Sequence, residues 1–248
     1  MNFKSVSFSI LSHAAWAPGL ETEDAWSAWA KNAHTITGHG EAPVSAMAPL
    51  LRRRAGSLNR IALEVAYRCL GGVKDVPTIF ASRHGEASRS VELLLDLASG
   101  QPISPTSFGL SVHNATGGLF SIARHDHANN IALAAGQSTV EHAVIEACGL
   151  LAEGESRVLL VVYDGPLPAV YAAFEDCREQ PFAWAWLMQA PAGDVLSLSL
   201  SWTAALANCS PSVRDLPPGL EVLRFYLRKD ASLERTCDGL RWLWCRDA

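Results

Sequence analysis

No stretch of this chain is long and apolar enough to cross a membrane, and none of its six cysteines stands in a CxxC or other metal-like spacing. The first absence excludes a spanning helix. The second argues against zinc ribbons and disulfide scaffolds, so Cys69, Cys148, Cys177, Cys209, Cys237 and Cys245 are expected to be reduced, mostly buried thiols of a cytoplasmic protein. Positive charge is also scarce: 20 Lys and Arg against 25 Asp and Glu give a net charge of −5. The only basic run, Arg52-Arg53-Arg54, is too short for a nucleic-acid surface and reads as a solvated helix end. Gly117-Gly118 lacks the lysine and the spacing of a phosphate loop, and His125-Asp126-His127 has no third metal ligand in view. No repeat or low-complexity segment is present.

What remains is ample core material. The 248 residues are 49% hydrophobic and 18% charged, which suits one domain spanning 1–248. Lys4 followed by an apolar stretch faintly imitates a signal peptide, yet Val6, Phe8 and Ile10 alternate with serines, the period of a first strand. Thr22 to Lys31 reads as a helix with Thr22 as N-cap, 33–49 as irregular, and Arg52 to Leu70 as a helix ending at Gly71-Gly72. Glu86 to Leu97 is a helix expected to turn Val91, Leu94, Leu95 and Ala98 inward. Short apolar runs at 78–82, 130–135 and 157–163, with helices between them, predict βαβ units and a mostly parallel sheet. Phe182 to Gln189 and Asp194 to Trp202 read as an antiparallel pair at the sheet's end, and Ser232 to Trp244 as a closing helix.

The stretch from Asn129 to Ala152 organises the rest. A small apolar run turns at Gly136 and continues in helical spacing through Val140, Val144, Ile145 and Cys148. Strand, tight turn, helix is the geometry of a nucleophile elbow. The residues at this turn are Gln137 and Ser138, and neither is a cysteine. Ser138 and His142, at i and i+4, invite a hydrolase reading, but no acid is placed to complete a triad and Ser138 serves equally as a helix cap.

The segment SVHNATGGLFSIA at 111–123 leading into this elbow, EGESRVLLVVYDGP at 153–166, and the opening FSILSHAAWAPG together resemble the β-ketoacyl synthases of the thiolase fold. They are more similar still to the short β-ketoacyl synthase-like N-terminal group found with aryl polyene and related fatty-acid-like gene clusters. The resemblance covers roughly residues 3–200 and leaves 203–248 as a C-terminal extension with a terminal helix. It implies an α/β, truncated thiolase-like fold, a layered mixed sheet covered by helices. It also implies that Gln137 occupies the position of the nucleophilic cysteine, as in chain-length-factor subunits, with Gly136 and Ser138 completing the elbow. The histidines that such enzymes carry late in the fold have no counterpart, since 203–248 holds none.

On this resemblance no residue is catalytic, and no metal or cofactor is expected. The partner would be a ketosynthase subunit in a heterodimer, reached by acyl carrier protein through the complex, without nucleic acid or membrane span. Phe108, Ser111, Val112, His113, Asn114 and Phe120 would line a tunnel across the interface, and Trp242 and Trp244 are expected at that interface. The alternatives are a decarboxylating, malonyl-ACP-type loading domain and a Ser138-dependent acyltransferase or thioesterase.

Overall fold

The computed structural model describes residues 4–193, 195–205 and 214–247. Asp194 and Cys209, named above, lie outside them. Its strands are β1 (Lys4–Trp16), β2 (Thr78–Ala81), β3 (Asn130–Leu133), β4 (Val158–Asp164), β5 (Phe182–Gln189), β6 (Ser197–Ala204), β7 (Ser232–Cys237) and β8 (Leu240–Arg246). They form one mixed sheet in the order β3-β2-β4-β5-β1-β6-β8-β7.

Parallel pairing is confined to β3-β2-β4, the strands joined through helices. All other neighbours run antiparallel. The expectation of a mostly parallel sheet therefore extrapolated too far: a parallel connection needs a crossover helix, and the remaining strands are not linked that way.

Side-chain size sets the layers. In β5, Phe182, Trp184, Trp186 and Met188 face one core while Ala183, Ala185 and Leu187 face the other. β4 divides likewise, with Val158, Leu160 and Val162 on one side and Leu159, Val161 and Tyr163 on the other. The small side lets α3 (Ser57–Leu70) lie close against the sheet, with α6 (Ala115–Arg124) beside it. The aromatic side is covered by α1 (Glu23–Lys31), α7 (Thr139–Ala152) and α8 (Pro218–Arg228). Thr22 caps α1 as its sequence suggests, its hydroxyl accepting from the Ala25 amide at 3.2 Å.

Five sequence expectations are corrected. The closing helix is a β-hairpin, because Asp238-Gly239, with φ of 53° and 73°, makes a two-residue turn between β7 and β8. In that hairpin Trp242 and Trp244 point to the same face at strand spacing and are 0% exposed, so they are core residues and not interface ones. β5 and β6 do not pair with each other: β1 lies between them, its Val6 and Phe8 opposite Leu200 and Leu198. Finally, α4 (Ala87–Ala98) buries only Leu93, while Leu94, Leu95 and Leu97 are exposed. Apolar periodicity marks a helix face without saying what covers it. The helix expected from Arg52 also begins later, α2 (Pro49–Arg52) being a separate turn ahead of α3, and α8 was not anticipated at all.

Gly219 in α8 shows how tightly the aromatic layer is filled. A Cβ there would lie 2.6 Å from the Phe182 ring, and the Gly219 carbonyl accepts from the Trp184 indole at 2.9 Å. Gly219→Ala is expected to destabilise the protein by about 1–3 kcal/mol through overpacking, despite alanine's better helix propensity. Urea denaturation of the two proteins checks this, and an unchanged or raised midpoint would contradict it.

Candidate functional site

β3 delivers the chain to Gly136, whose φ of 53° lies in the left-handed region that glycine enters without strain. A single 3₁₀ turn, Gly136–Ser138, then opens α7. Thr139 stabilises the bend: its hydroxyl donates to the Gly136 carbonyl at 2.8 Å and accepts from the Ala135 amide at 3.0 Å. The strand, tight turn and helix expected here are therefore present, and the Gln137 and Ser138 side chains are both engaged. The Gln137 amide nitrogen donates to Asp176 at 2.9 Å. The Ser138 hydroxyl, 1% exposed, donates to Asp238 in the β7–β8 turn at 2.8 Å. His142 places Nδ1 2.9 Å from the Ser138 carbonyl, so this nitrogen is the donor and is not a base for the serine hydroxyl. The Ser138–His142 pairing of the serine-hydrolase alternative is thus not formed.

Two buried arginines flank the elbow. After β2, the Arg83 guanidinium donates to Asp176, to Glu179 at 3.0 Å and to the Cys177 sulfur at 3.1 Å. Its backbone amide and the Ser82 hydroxyl both donate to Asp164, each at 2.8 Å. One positive charge here serves three carboxylates. Burial raises the Asp164 carboxyl to about 6, against the opposing pull of Arg83. Burial acts on Asp176 in the same direction, but the Gln137 amide and Arg83 outweigh it and hold that carboxyl below its ordinary value. The ligand-like atoms of Asp176, Cys177 and Glu179 gather within 4.8 Å of one another, yet the cation they hold is the Arg83 side chain.

On the other flank, Arg235 of β7 donates to Glu141 of α7, to Glu221 of α8 at 2.9 Å and to the Gln137 carbonyl at 3.0 Å. Arg235 is 3% and Glu141 0% exposed. The Trp244 indole completes the group, donating to Glu141 at 3.2 Å. Neither arginine was singled out in the sequence. Each is separated by more than 90 positions from its main carboxylate partner, and no local pattern announces such a pair. Only the Asp238-Gly239 turn carried a readable local signal.

The residues assigned to an interfacial tunnel separate into two groups. Phe108 and Val112 are 60% and 42% exposed, Asn114 is exposed, and Ser111 is half-buried with its hydroxyl donating to the Phe108 carbonyl at 2.8 Å. Phe120 instead packs inside the chain's own core, edge-on to Tyr67 and Phe80. His113 rests against Gly85, and burial lowers its pKa. Neither of its ring nitrogens has a hydrogen-bond partner. Close by, at the carboxyl ends of β2 and β4, a cavity of about 160 Å³ is lined by Trp16, Leu58, His84, Glu86 and Pro166. Burial raises the Glu86 carboxyl, opposed by Arg89 and by the Asn59 amide in the first turn of α3. His125 and His127 are exposed on their loop, whereas Asp126 between them is buried and accepts from the Ala128 amide at 3.1 Å.

Comparison with known proteins places this geometry. The family described as the N-terminal domain of β-ketoacyl synthases matches residues 26–245. A chain in the structure of the ketosynthase ApeO in complex with its chain length factor ApeC, from Xenorhabdus doucetiae, has 27% identity and a TM-score of 0.81. That match covers 97% of this chain and 100% of the other. The ishigamide ketosynthase/chain length factor follows with 12% identity and a TM-score of 0.64, over 82% of this chain and 69% of that one. The AntDE:AntF complex, a type II PKS acyl-carrier protein with its ketosynthase bound to the hexaketide, has 10% identity and a TM-score of 0.62, over 80% and 70%. At such identities the last two bear on the fold alone, which is thiolase-like. No curated protein sequence matches significantly.

Two outcomes are expected from the charged flanks. Because the Asp164 carboxyl is raised in the folded protein, its protonated form favours folding below about 4, and that contribution is lost as pH rises to about 6. Asp164→Asn does not titrate, so its stability relative to wild type should climb by up to about 3 kcal/mol between those pH values and then level. Guanidinium denaturation across the pH series reads this directly, and a pH-independent difference would contradict it. On the other flank, Arg235→Met should cost about 3–5 kcal/mol, and adding Glu141→Leu should restore part of that loss. A double variant less stable than Arg235→Met would show that Glu141 has adequate partners without Arg235.

Proposed function

Since the chain belongs to the β-ketoacyl synthase N-terminal-domain family, we propose that it is a catalytically inactive, chain-length-factor-type subunit that pairs with a complete ketosynthase. The observation that carries this reading is the elbow. Where condensation needs a thiolate, the chain offers a glutamine amide bonded to Asp176, beside a serine bonded to Asp238. Cys148, further along α7, is buried, and burial pushes its thiol up to about 12. No histidine follows residue 142 to stabilise an enolate.

The surface supports a partner. Leu94, Leu95 and Leu97 of α4 are exposed, and α4 packs against α5 (Pro105–Gly109), which carries the exposed Phe108. Val112 and Ile122 add to the exposed apolar residues of the segment that follows. β3, at one end of the sheet, reads Asn-Ile-Ala-Leu and has none of the charges that usually protect an edge strand. In this reading the α4–α5 face and the loop around His113 meet the ketosynthase, and residues 108–114 bound an acyl tunnel whose length they set by bulk. The resemblance to the aryl polyene group makes a polyene-type chain the expected substrate of the complex. Acyl carrier protein would dock on the partner, since this chain is itself acidic, at −5.

Co-expression with the ketosynthase of the same gene cluster, followed by size-exclusion chromatography with mass determination, should yield a one-to-one complex. Leu95→Glu and Phe108→Glu should each weaken it at least about tenfold, the loss expected when a charge enters an apolar interface centre. Val112→Trp should shorten the product while leaving the complex intact. Gln137→Ala should leave condensation running, and a complex that assembles but no longer condenses would refute the non-catalytic assignment. A stable homodimer indifferent to the ketosynthase would refute the pairing itself.

A further inference from the structure

Four strand positions across the sheet from β3, on the order of 19 Å at the usual inter-strand spacing, the protein contains a different kind of space. β1 is paired on both edges only at its start: its β6 partners end at Ser9, while its β5 partners continue to Trp16. The open edge beyond Ser9 forms the floor of a cavity of about 410 Å³, to which β1 contributes His13, Ala14 and Ala15. That volume is in the range of small-molecule sites. α1 and α8 form the walls with Trp26, Tyr226 and Leu227. Trp26 is 2% exposed, and its indole N–H is buried without an acceptor. The His13 ring stands edge-on to Tyr226, with Nδ1 3.3 Å from the phenol oxygen.

The charges on the lining have two signs. Glu21 and Glu23 come from the start of α1, and Lys229 and Arg246 from the end of α8 and from β8. Among the described residues none of these four makes an ion pair. Arg68, the remaining charged residue of the lining, is already paired with Glu64. Arg246 is held in place by its bonds to the Tyr226 and Asp230 carbonyls, with its guanidinium over the Phe225 and Tyr226 rings. The lining therefore offers a ligand charged groups of both signs that no ion pair within the described residues occupies.

We propose that this cavity binds a small zwitterion of the α-amino-acid type with an apolar side chain. Its ammonium group faces Glu21 and Glu23, its carboxylate faces Lys229 and Arg246, and its side chain lies against Trp26 and Tyr226. Burial lowers the His13 pKa, which keeps the imidazole neutral and the charge balance of the lining even. The site shares no residue with the elbow and holds whether or not the chain pairs with a ketosynthase.

Isothermal titration of the full chain with L-phenylalanine and with L-leucine tests the proposal, with 3-phenylpropionate and phenethylamine as singly charged analogues. At least one amino acid should bind saturably below about 10 mM, and each analogue should bind about tenfold more weakly or not at all. Glu23→Gln and Lys229→Asn, both at exposed positions, should each weaken amino-acid binding by about threefold to tenfold. Asparagine also suits the left-handed backbone at 229. The proposal is overturned if neither amino acid saturates, if either analogue binds as tightly, or if Glu23→Gln and Lys229→Asn bind as wild type does.

Discussion

The contact on which the site most depends is the buried pairing of Arg235 with Glu141. It joins the last hairpin of the chain to the helix that begins at the elbow, and Arg235 extends it to Glu221 on α8 and to the Gln137 carbonyl. Such a pair gains little over an apolar substitute, because both charges must leave water. Its value is in specificity. With the guanidinium shared among three elements, the hairpin is tied to α7, α8 and the turn at Gln137, and Trp242 and Trp244 fill the aromatic layer around Trp186 and Trp202.

Arg83 does the same from the opposite side. Between them the two arginines bind the elbow residue at both ends, Arg235 at the backbone carbonyl and Arg83, through Asp176, at the side-chain amide. A nucleophile elbow in an acyl-transfer enzyme must leave its side chain free to meet a substrate. Here the Gln137 side chain holds a loop through its bond to Asp176.

The exposed surface and the interior divide the remaining roles. Apolar side chains on α4 and α5 remain uncovered in the single chain, whereas the tryptophans that were expected to meet a partner are fully enclosed. The chain belongs to the β-ketoacyl synthase N-terminal-domain family and is similar to a chain of a ketosynthase–chain length factor complex. The β1 cavity belongs to neither feature. It arises because β6 turns away at Ser197 and leaves half of a long strand with one open edge.

The sequence alone determined the elements whose pattern is local. The six apolar residues from Val158 to Tyr163 made β4 readable, Thr22 marked the start of α1, and the apolar run into Gly136 marked the strand and turn ahead of α7. Residues 232–244 were misread because leucines and tryptophans there fit both periods, and the Asp-Gly turn that decides between them was passed over. Tertiary structure alone decided which strand stands between β5 and β6, which face of α4 is left bare, and which distant carboxylates reach Arg83 and Arg235. The physical reason is common to all three. Strand and helix periods arise from contacts a few residues apart, whereas sheet order, burial and charge pairing are set by segments that meet only after the whole chain has folded.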